Sequence, residues 1–432
     1  MARAADDILQ LIFEAVVGPA LLPWPATRYD RERALAPFVL AAVCRYWRII
    51  THSTPTLWTY FGFPRSPTNH TAHYERLQIQ VVLVKQVPIH VVFSCNDRSP
   101  PSYYRADTNR IFDTLIKLGS QWGSGELNVA ETAVSRFYAG QPQEWTCLEQ
   151  LSLTCNIGRF RIPRAPQLKR LHLDCHTMDK DFTDLPSLSV FSCYSADNAA
   201  TKDICCSYAA QLVELYILDD LYDHSFERLH FPSLKTLVLD DANFLPYVDA
   251  PNLRTLTIQA NSLAAEHAKF AVHYACVQHL ILYGLLESNV VDVLRHFNSI
   301  SKITFEAPDV ILKAFSHRKM KLAIADGFFT ELLNGQSRPA WPLLEHICIP
   351  PGYGYVDFEG FIAFVESRTR HHEGASKQSQ ENKPRMLKRV EIENEPNLPK
   401  WILPALKLLL PSSPAPPRYP WEGTPNIQIA PL

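Results

Sequence analysis

Apolar residues recur through the middle of the chain in one compact pattern. Leu148 is followed three residues later by Leu151, then two later by Leu153, with Asn156 three further on. Residues two apart on an extended chain share a side. Leu151 and Leu153 therefore predict a short strand with one buried face, while Gln150 and Ser152 look the other way. Leu148 sits where the chain bends into the strand, and Asn156 can satisfy loop amides where it leaves. The same pattern starts again at Leu168, Leu188, Leu212, Leu234, Leu253, Val277 and Ile300, in steps of 20, 20, 24, 22, 19, 24 and 23 residues. One match is an ordinary buried strand; eight in phase are a repeat.

Units of this length with the order L-x-x-L-x-L-x-x-N resemble leucine-rich repeats, whose period is roughly 20–29 residues. One unit cannot bury its leucines alone, so the copies must stack. Pro163, Pro166, Pro186, Pro232 and Pro251 recur just before the first apolar residue of a unit and set an extended approach to the strand. Early returns read as irregular. Later ones read as helical, from Ala264 to Cys276 and again over Val290, Val291, Leu294 and Phe297. A strand, a crossover and a parallel strand wind right-handed. The predicted class is α/β, a right-handed solenoid with a parallel sheet on its concave side, over residues 147–410.

The pattern loosens after 305. Leu322-Ala323-Ile324, Leu344-x-x-Ile347-x-Ile349 and Leu387-x-x-Val390-x-Ile392 are further strand candidates, separated by a helix carrying Phe358, Phe361, Ile362 and Val365. Residues 371–386 form a polar insertion, Trp401 to Leu410 a last apolar helix that closes the stack, and 411–432 a proline-rich tail. Between 64 and 146 lie a linker (64–73) and degenerate lead-in repeats. Leu77, Ile79, Val81 and Leu83 begin the lead-in, Pro88 to Phe93 is a strand, Ile111, Leu115 and Leu118 share a helical face, and Leu127 to Val129 is a short strand.

Residues 1–63 follow a different period. Ile8, Leu9, Ile12, Phe13 and Val16 fall on one helical face. This predicts a helix opened by Asp6-Asp7, acids at its positive end, and ended by Gly18-Pro19. A loop rich in proline and charge follows. A second helix buries Leu40, Val43, Trp47 and Ile50 and leaves Arg45 and Arg48 outside. Pro55 stops it, and Leu57-Trp58 fold back onto it.

The order Asp6-Asp7-Ile8-Leu9 to Ile12-Phe13, then Val43-Cys44-Arg45-Tyr46-Trp47-Arg48, then Ser53-Thr54-Pro55-Thr56-Leu57-Trp58 resembles an F-box. In particular it is similar to the F-box-like start of large protein families in mushroom-forming fungi. The resemblance covers residues 6–58 and is strongest in its second half. Where the family usually has Leu-Pro before the acidic residue, this chain has Ala4-Ala5. The resemblance implies docking on the Skp-type adaptor of a cullin–RING ubiquitin ligase, with the rest of the chain choosing a protein substrate. It implies that Ile8, Leu9, Ile12, Phe13, Val43, Cys44 and Trp47 supply the apolar surface shared between the module's core and the adaptor, and that Leu57 and Trp58 close the module.

Composition narrows the chemistry. The chain has 432 residues, 47% hydrophobic and 20% charged, and a net charge of −2. That balance is globular, and it gives no electrostatic case for nucleic acid or an anionic membrane. No apolar run is long enough to span a bilayer and no signal-peptide pattern opens the chain. Ten cysteines without such a signal suggest reduced thiols and a cytoplasmic or nuclear location.

No G-x-S-x-G, H-E-x-x-H or Walker-type glycine loop occurs. The outward strand positions are mixed and mildly polar. Among them Arg170, His172, Glu214, Tyr216, His279 and Lys302 are the candidates to contact a protein substrate. His172 and His279 lie five strands apart in the expected stack, roughly 24 Å at ~4.8 Å per strand, too far to share a metal. The sequence thus predicts a non-catalytic binding protein with no cofactor. Two classes stay open: a substrate-recruiting ligase subunit, and a repeat scaffold whose N-terminal helices only cap the stack.

Overall fold

Alternate side chains are buried along the strands, and this alternation builds a parallel sheet. The structure is a computed structural model that describes residues 2–18, 30–64, 70–95, 102–129, 137, 140, 144–160, 162–178, 184–194, 198–218, 227–305, 323–334, 340–349, 355–370, 384–392 and 399–410. The loop at 19–29, residues 65–69 of the linker, most of the polar insertion, and the proline-rich tail lie outside them. The chain divides into two compact units, 1–208 and 209–432, a division that falls within the range 147–410.

The first unit opens with helices α1 (Ala2–Val17), α2 (Arg31–Val43) and α3 (Arg45–Ser53). α1 starts before Asp6, because Ala2 to Ala5 are all good helix formers; the two acids sit in its second turn rather than at its start. Gly18, at φ 82°, ends it, with its N–H donating to the Glu14 carbonyl at 2.9 Å. The single helix expected over Leu40 to Ile50 is two helices. Cys44 is extended between them, and its Sγ accepts the Trp47 N–H at 3.4 Å, capping α3. The break keeps Leu40 and Ile50 buried but turns Val43, expected inside, out to 56% exposure. Pro55–Trp58 form a single 3₁₀ turn that buries Leu57 and Trp58, and the Trp58 Nε1–H donates to the Thr51 carbonyl at 2.8 Å.

The sheet of this unit follows at once. Its strands are β1 (Tyr60–Gly62), β2 (Ile89–Cys95), β3 (Trp122–Val129), β4 (Gln150–Phe160), β5 (Arg170–Met178) and β6 (Val190–Tyr194), each parallel to the next. The first of them lies within residues 1–63. Leu151, Leu171 and Phe191 stand abreast and fully buried. Each such side chain contributes about 1.5–3 kcal/mol of burial.

Helix α4 (His70–Val84) and helix α5 (Ser102–Lys117) lie between the early strands. Leu77 and Val84 of α4 are buried while Ile79 and Val82 are exposed, so the lead-in begins with a helix. Helix α6 (Asn198–Tyr208) occupies a return expected to be irregular. Ile204 and Cys205 are its buried apolar side chains among the described residues, a weak periodic signal.

The second unit repeats the theme. Strands β7 (Glu214–Ile217), β9 (Thr236–Leu239), β11 (Thr255–Gln259), β12 (His279–Tyr283), β14 (Lys302–Phe305), β16 (His346–Ile349) and β18 (Arg389–Ile392) pair in that order, all parallel. All eight strands expected from the repeat are present across the two units, with the two candidates at 344 and 387. Most of these strands are approached through the same turn. Leu168, Leu188, Leu234, Leu253, Val277 and Leu344 donate their N–H to the carbonyl three residues back, at 3.0–3.3 Å.

Short strands at the sheet margins make two side sheets. One is β8 (Leu229–His230) with β10 (Val248–Asp249), and the other is β13 (Leu285–Leu286), β15 (Ala323–Ile324) and β17 (Tyr355–Val356). Of the candidate at 322–324, Ala323 and Ile324 therefore belong to a side sheet, pairing with β13 at the exit from β12, and Leu322 lies outside the described residues. The later returns are helical as expected but short: α7 (Ala268–Ala271) and α8 (Val291–Leu294) are flanked by 3₁₀ turns. Helices α9 (Phe328–Leu333), α10 (Phe358–Arg370) and α11 (Ile402–Leu409) complete the unit, with Ile402 and Leu406 buried.

Candidate functional site

Two surfaces hold the residues singled out by sequence. The first is the three-helix module. Helix α1 carries two apolar stripes whose centres lie about 145° apart around its axis, at about 100° per residue. Phe13 and Val17 point inward and are buried, Phe13 against the Trp47 ring at 4.8 Å. Ile8, Leu11, Ile12 and Val16, spaced by three and four, face outward. The apolar sector is wider than the area the other helices cover, so the face expected to be one is split in two.

The nine module residues therefore divide. Ile8, Ile12, Val43 and Cys44 are exposed, Leu9 and Trp47 are half-buried, and Phe13, Leu57 and Trp58 are fully buried, part of the core and not of the outer surface. The adaptor-facing set read from the sequence leaves out Val16 and Tyr46, although the helical face and the motif contain them, and also Leu11, Val39 and Ile49. Val39 precedes Val43 by one turn of α2, and Tyr46 and Ile49 lie on one face of α3, so helical spacing was the signal. Eight of the fourteen exposed large apolar side chains among the described residues are on these three helices, each between 47% and 65% exposed. The Tyr46 hydroxyl donates to Asp6 Oδ1, which holds Tyr46 alongside the start of α1 and raises its pKa. Arg45, Arg48, Ile49, His52 and Ser53 line a depression on α3.

On its other side the module meets the sheet. Ala34 of α2 packs on Tyr60 and Val92, and the Arg33 guanidinium lies 4.7 Å from the Tyr60 ring. Tyr60 stacks on His90 at 5.4 Å, and the His90 ring nitrogen Nδ1 shares a hydrogen bond with Ser124 Oγ. Burial first, and the Arg33 charge second, push the His90 pKa down to about 3.

The second surface is the sheet face opposite the leucines. In the first unit Arg170 and His172 lie half-buried on β5. His172 shares a hydrogen bond with Ser192 at 2.9 Å, and burial lowers its pKa to about 4. In the second unit Glu214 and Tyr216 are bound to each other, the hydroxyl donating to Glu214 Oε2 at 2.7 Å. His279 and Lys302 are direct register partners on β12 and β14. His279 shares a hydrogen bond with Thr304 at 2.9 Å; burial, then the neighbouring Lys302, lowers its pKa to about 4.

The register then continues from Lys302 to His346 and from His346 to Arg389. These last two stand at the same position of the L-x-x-L pattern in the strands that start at Leu344 and Leu387. The signal was present, but it lies beyond residue 305, where the repeat loosens.

Among the described residues, no group of three His, Cys, Asp or Glu side chains is placed to hold a metal ion. No helix among them is long and apolar enough to cross a membrane. Neither any family model nor any curated protein matches the chain.

Proposed function

We propose that this protein is a substrate-recognition subunit of a cullin–RING ubiquitin ligase. In this account residues 1–63 are an F-box-like module that docks a Skp-type adaptor, and through it a cullin. The strands behind it are a leucine-rich-repeat solenoid that holds a protein substrate, and ubiquitin transfer is carried out by other subunits in the cytoplasm or nucleus. The observation that carries the proposal is the outer stripe of the module. Ile8, Leu11, Ile12 and Val16, with Val39, Val43, Tyr46 and Ile49, remain in water although α1–α3 are packed together. Exposed apolar groups concentrated on one small element mark a surface that is covered by a partner.

The alternative is a scaffold without a ubiquitin role, and one observation favours it: α2 seats Arg33 and Ala34 on the first two strands, as a terminal cap does. A cap needs only that inner contact and leaves the outer stripe of α1 without a purpose.

Calorimetric titration with a purified Skp-type adaptor separates the two. The wild-type chain is expected to bind, and Ile8→Glu with Ile12→Glu to weaken binding by about a hundredfold or more, as loss of a central apolar anchor does. Both side chains are half in water already, so the variant keeps its fold and its circular dichroism. A folded wild-type chain that shows no heat with the adaptor contradicts the proposal.

A further inference from the structure

Four side chains stand abreast at the start of adjacent strands in the second unit. His279, Lys302, His346 and Arg389 are consecutive register partners on β12, β14, β16 and β18. All four occupy the sheet face away from the leucines, and all are half-buried. At about 4.8 Å per strand the row is ~14 Å long.

The charges in and around the row do not cancel. Glu345 accepts from Arg385 and Lys388, each at 2.8 Å, and Lys388 first, then Arg385, holds its carboxyl below the usual range. Glu391 pairs with Arg389. Arg385, Lys388 and Arg389 pair with these two carboxylates and Lys302 with neither, so the four permanent cations exceed the carboxylates by a net charge of +2. Within the row, the Lys302 ammonium has no hydrogen bond or ion pair among the described residues, and neither does the His346 ring. Arg389 keeps Nε shielded from water and without a hydrogen-bond partner. The Lys302 ammonium, the His346 ring and Arg389 Nε thus stand on one line without an acceptor among the described residues, while Arg389 Nη2 is held by Glu391 and His279 by Thr304.

We propose that this row is an anion-recognising site that takes an acidic segment of a protein partner. The segment lies across β12–β18 with its carboxylate or phosphate groups on Lys302 and Arg389 and with His279 and His346 as neutral donors. A span of ~14 Å matches about four residues of extended chain. Nucleic acid fits less well. The row ends after four strands, its continuation onto β11, β9 and β7 is Thr255, Thr236 and Glu214, and the chain as a whole carries a net charge of −2. The proposal deepens the substrate-recruiting account and rests on it only for calling this segment a substrate. Binding itself is read on the chain alone, without adaptor, so the two stand or fall separately.

The test is fluorescence anisotropy of the full chain with labelled hexaglutamate, its phosphoserine counterpart, hexaglutamine and an oligouridylate of equal length. Hexaglutamate is expected to bind and hexaglutamine to fail. Lys302→Gln is expected to weaken binding about tenfold, the loss of one charged contact, and Lys302→Glu further. Lys235→Glu, an exposed cation off the row, is expected to change it less than about twofold. A phosphoserine peptide that binds tighter assigns phosphate as the preferred group; equal binding assigns carboxylate. Thermal unfolding of each variant shows that the fold is kept. Equal binding of hexaglutamine, tighter binding of the oligouridylate, or indifference to both Lys302 substitutions in a folded chain would overturn the proposal.

Discussion

Trp58 ties the module together. It is 1% exposed, meets Phe38 edge-on at 5.0 Å, and donates its indole N–H to the Thr51 carbonyl. Trp58→Ala is expected to cost about 3–5 kcal/mol of stability in urea unfolding. Trp58→Phe keeps most of the volume and loses the indole bond to that carbonyl, which still accepts the Thr54 N–H at 3.3 Å, and is expected to cost about 0.5–1.5 kcal/mol. His90 makes a second residue-scale prediction. Its pKa is about 3 in the fold against an ordinary 6.5, so it is neutral in the folded chain where an unfolded chain binds a proton. The stability it supports is complete above pH 6.5 and is lost as pH falls from there towards 3. His172 and His279 act with the same sign. Urea unfolding from pH 7 to 4 is expected to show this fall, and His90→Gln to flatten it. An unchanged slope in that variant would mean that His90 stays neutral in the unfolded chain or protonates freely in the fold.

At the scale of the element, spacing told most about strands and least about breaks. The eight repeats were legible because a period of two over Leu151 and Leu153, copied in phase, has few other causes. Val43 was misplaced because Cys44 has no helix-breaking character of its own; only its extended backbone and its cap on Trp47 reveal two helices. Ile8 and Ile12 were named from the sequence, but their separation from Phe13 escaped because apolar periodicity alone cannot say whether a face meets the same chain or another one. Helix α6 was hidden by its weak periodic signal. The division of α1 into an inner and an outer stripe yields its own prediction. Phe13→Ala, on the inner stripe, is expected to lower stability by about 3–5 kcal/mol. Val16→Glu, on the outer, is expected to leave stability within about 0.5 kcal/mol and to weaken adaptor binding. If both variants lose stability alike, the outer stripe is packed in solution.

For the whole molecule, the large parallel sheet was legible from the repeat, while the role of its open face was only partly so. Arg170, His172, Glu214, Tyr216, His279 and Lys302 all lie on the expected strands, yet of these six only His279 and Lys302 face each other across adjacent strands. Glu214 and Tyr216 are occupied with each other. The row that includes His346 and Arg389 needed the register of strands whose repeat spacing had already drifted. Docking on the adaptor, however, belongs to the other surface. Hydrogen–deuterium exchange of the full chain, with and without a Skp-type adaptor, reads it directly. The account predicts slowed exchange on binding in α1 and at the start of α3, with the sheet of the second unit unchanged. Protection confined to the strands, or none anywhere under conditions where the adaptor is native, would contradict it.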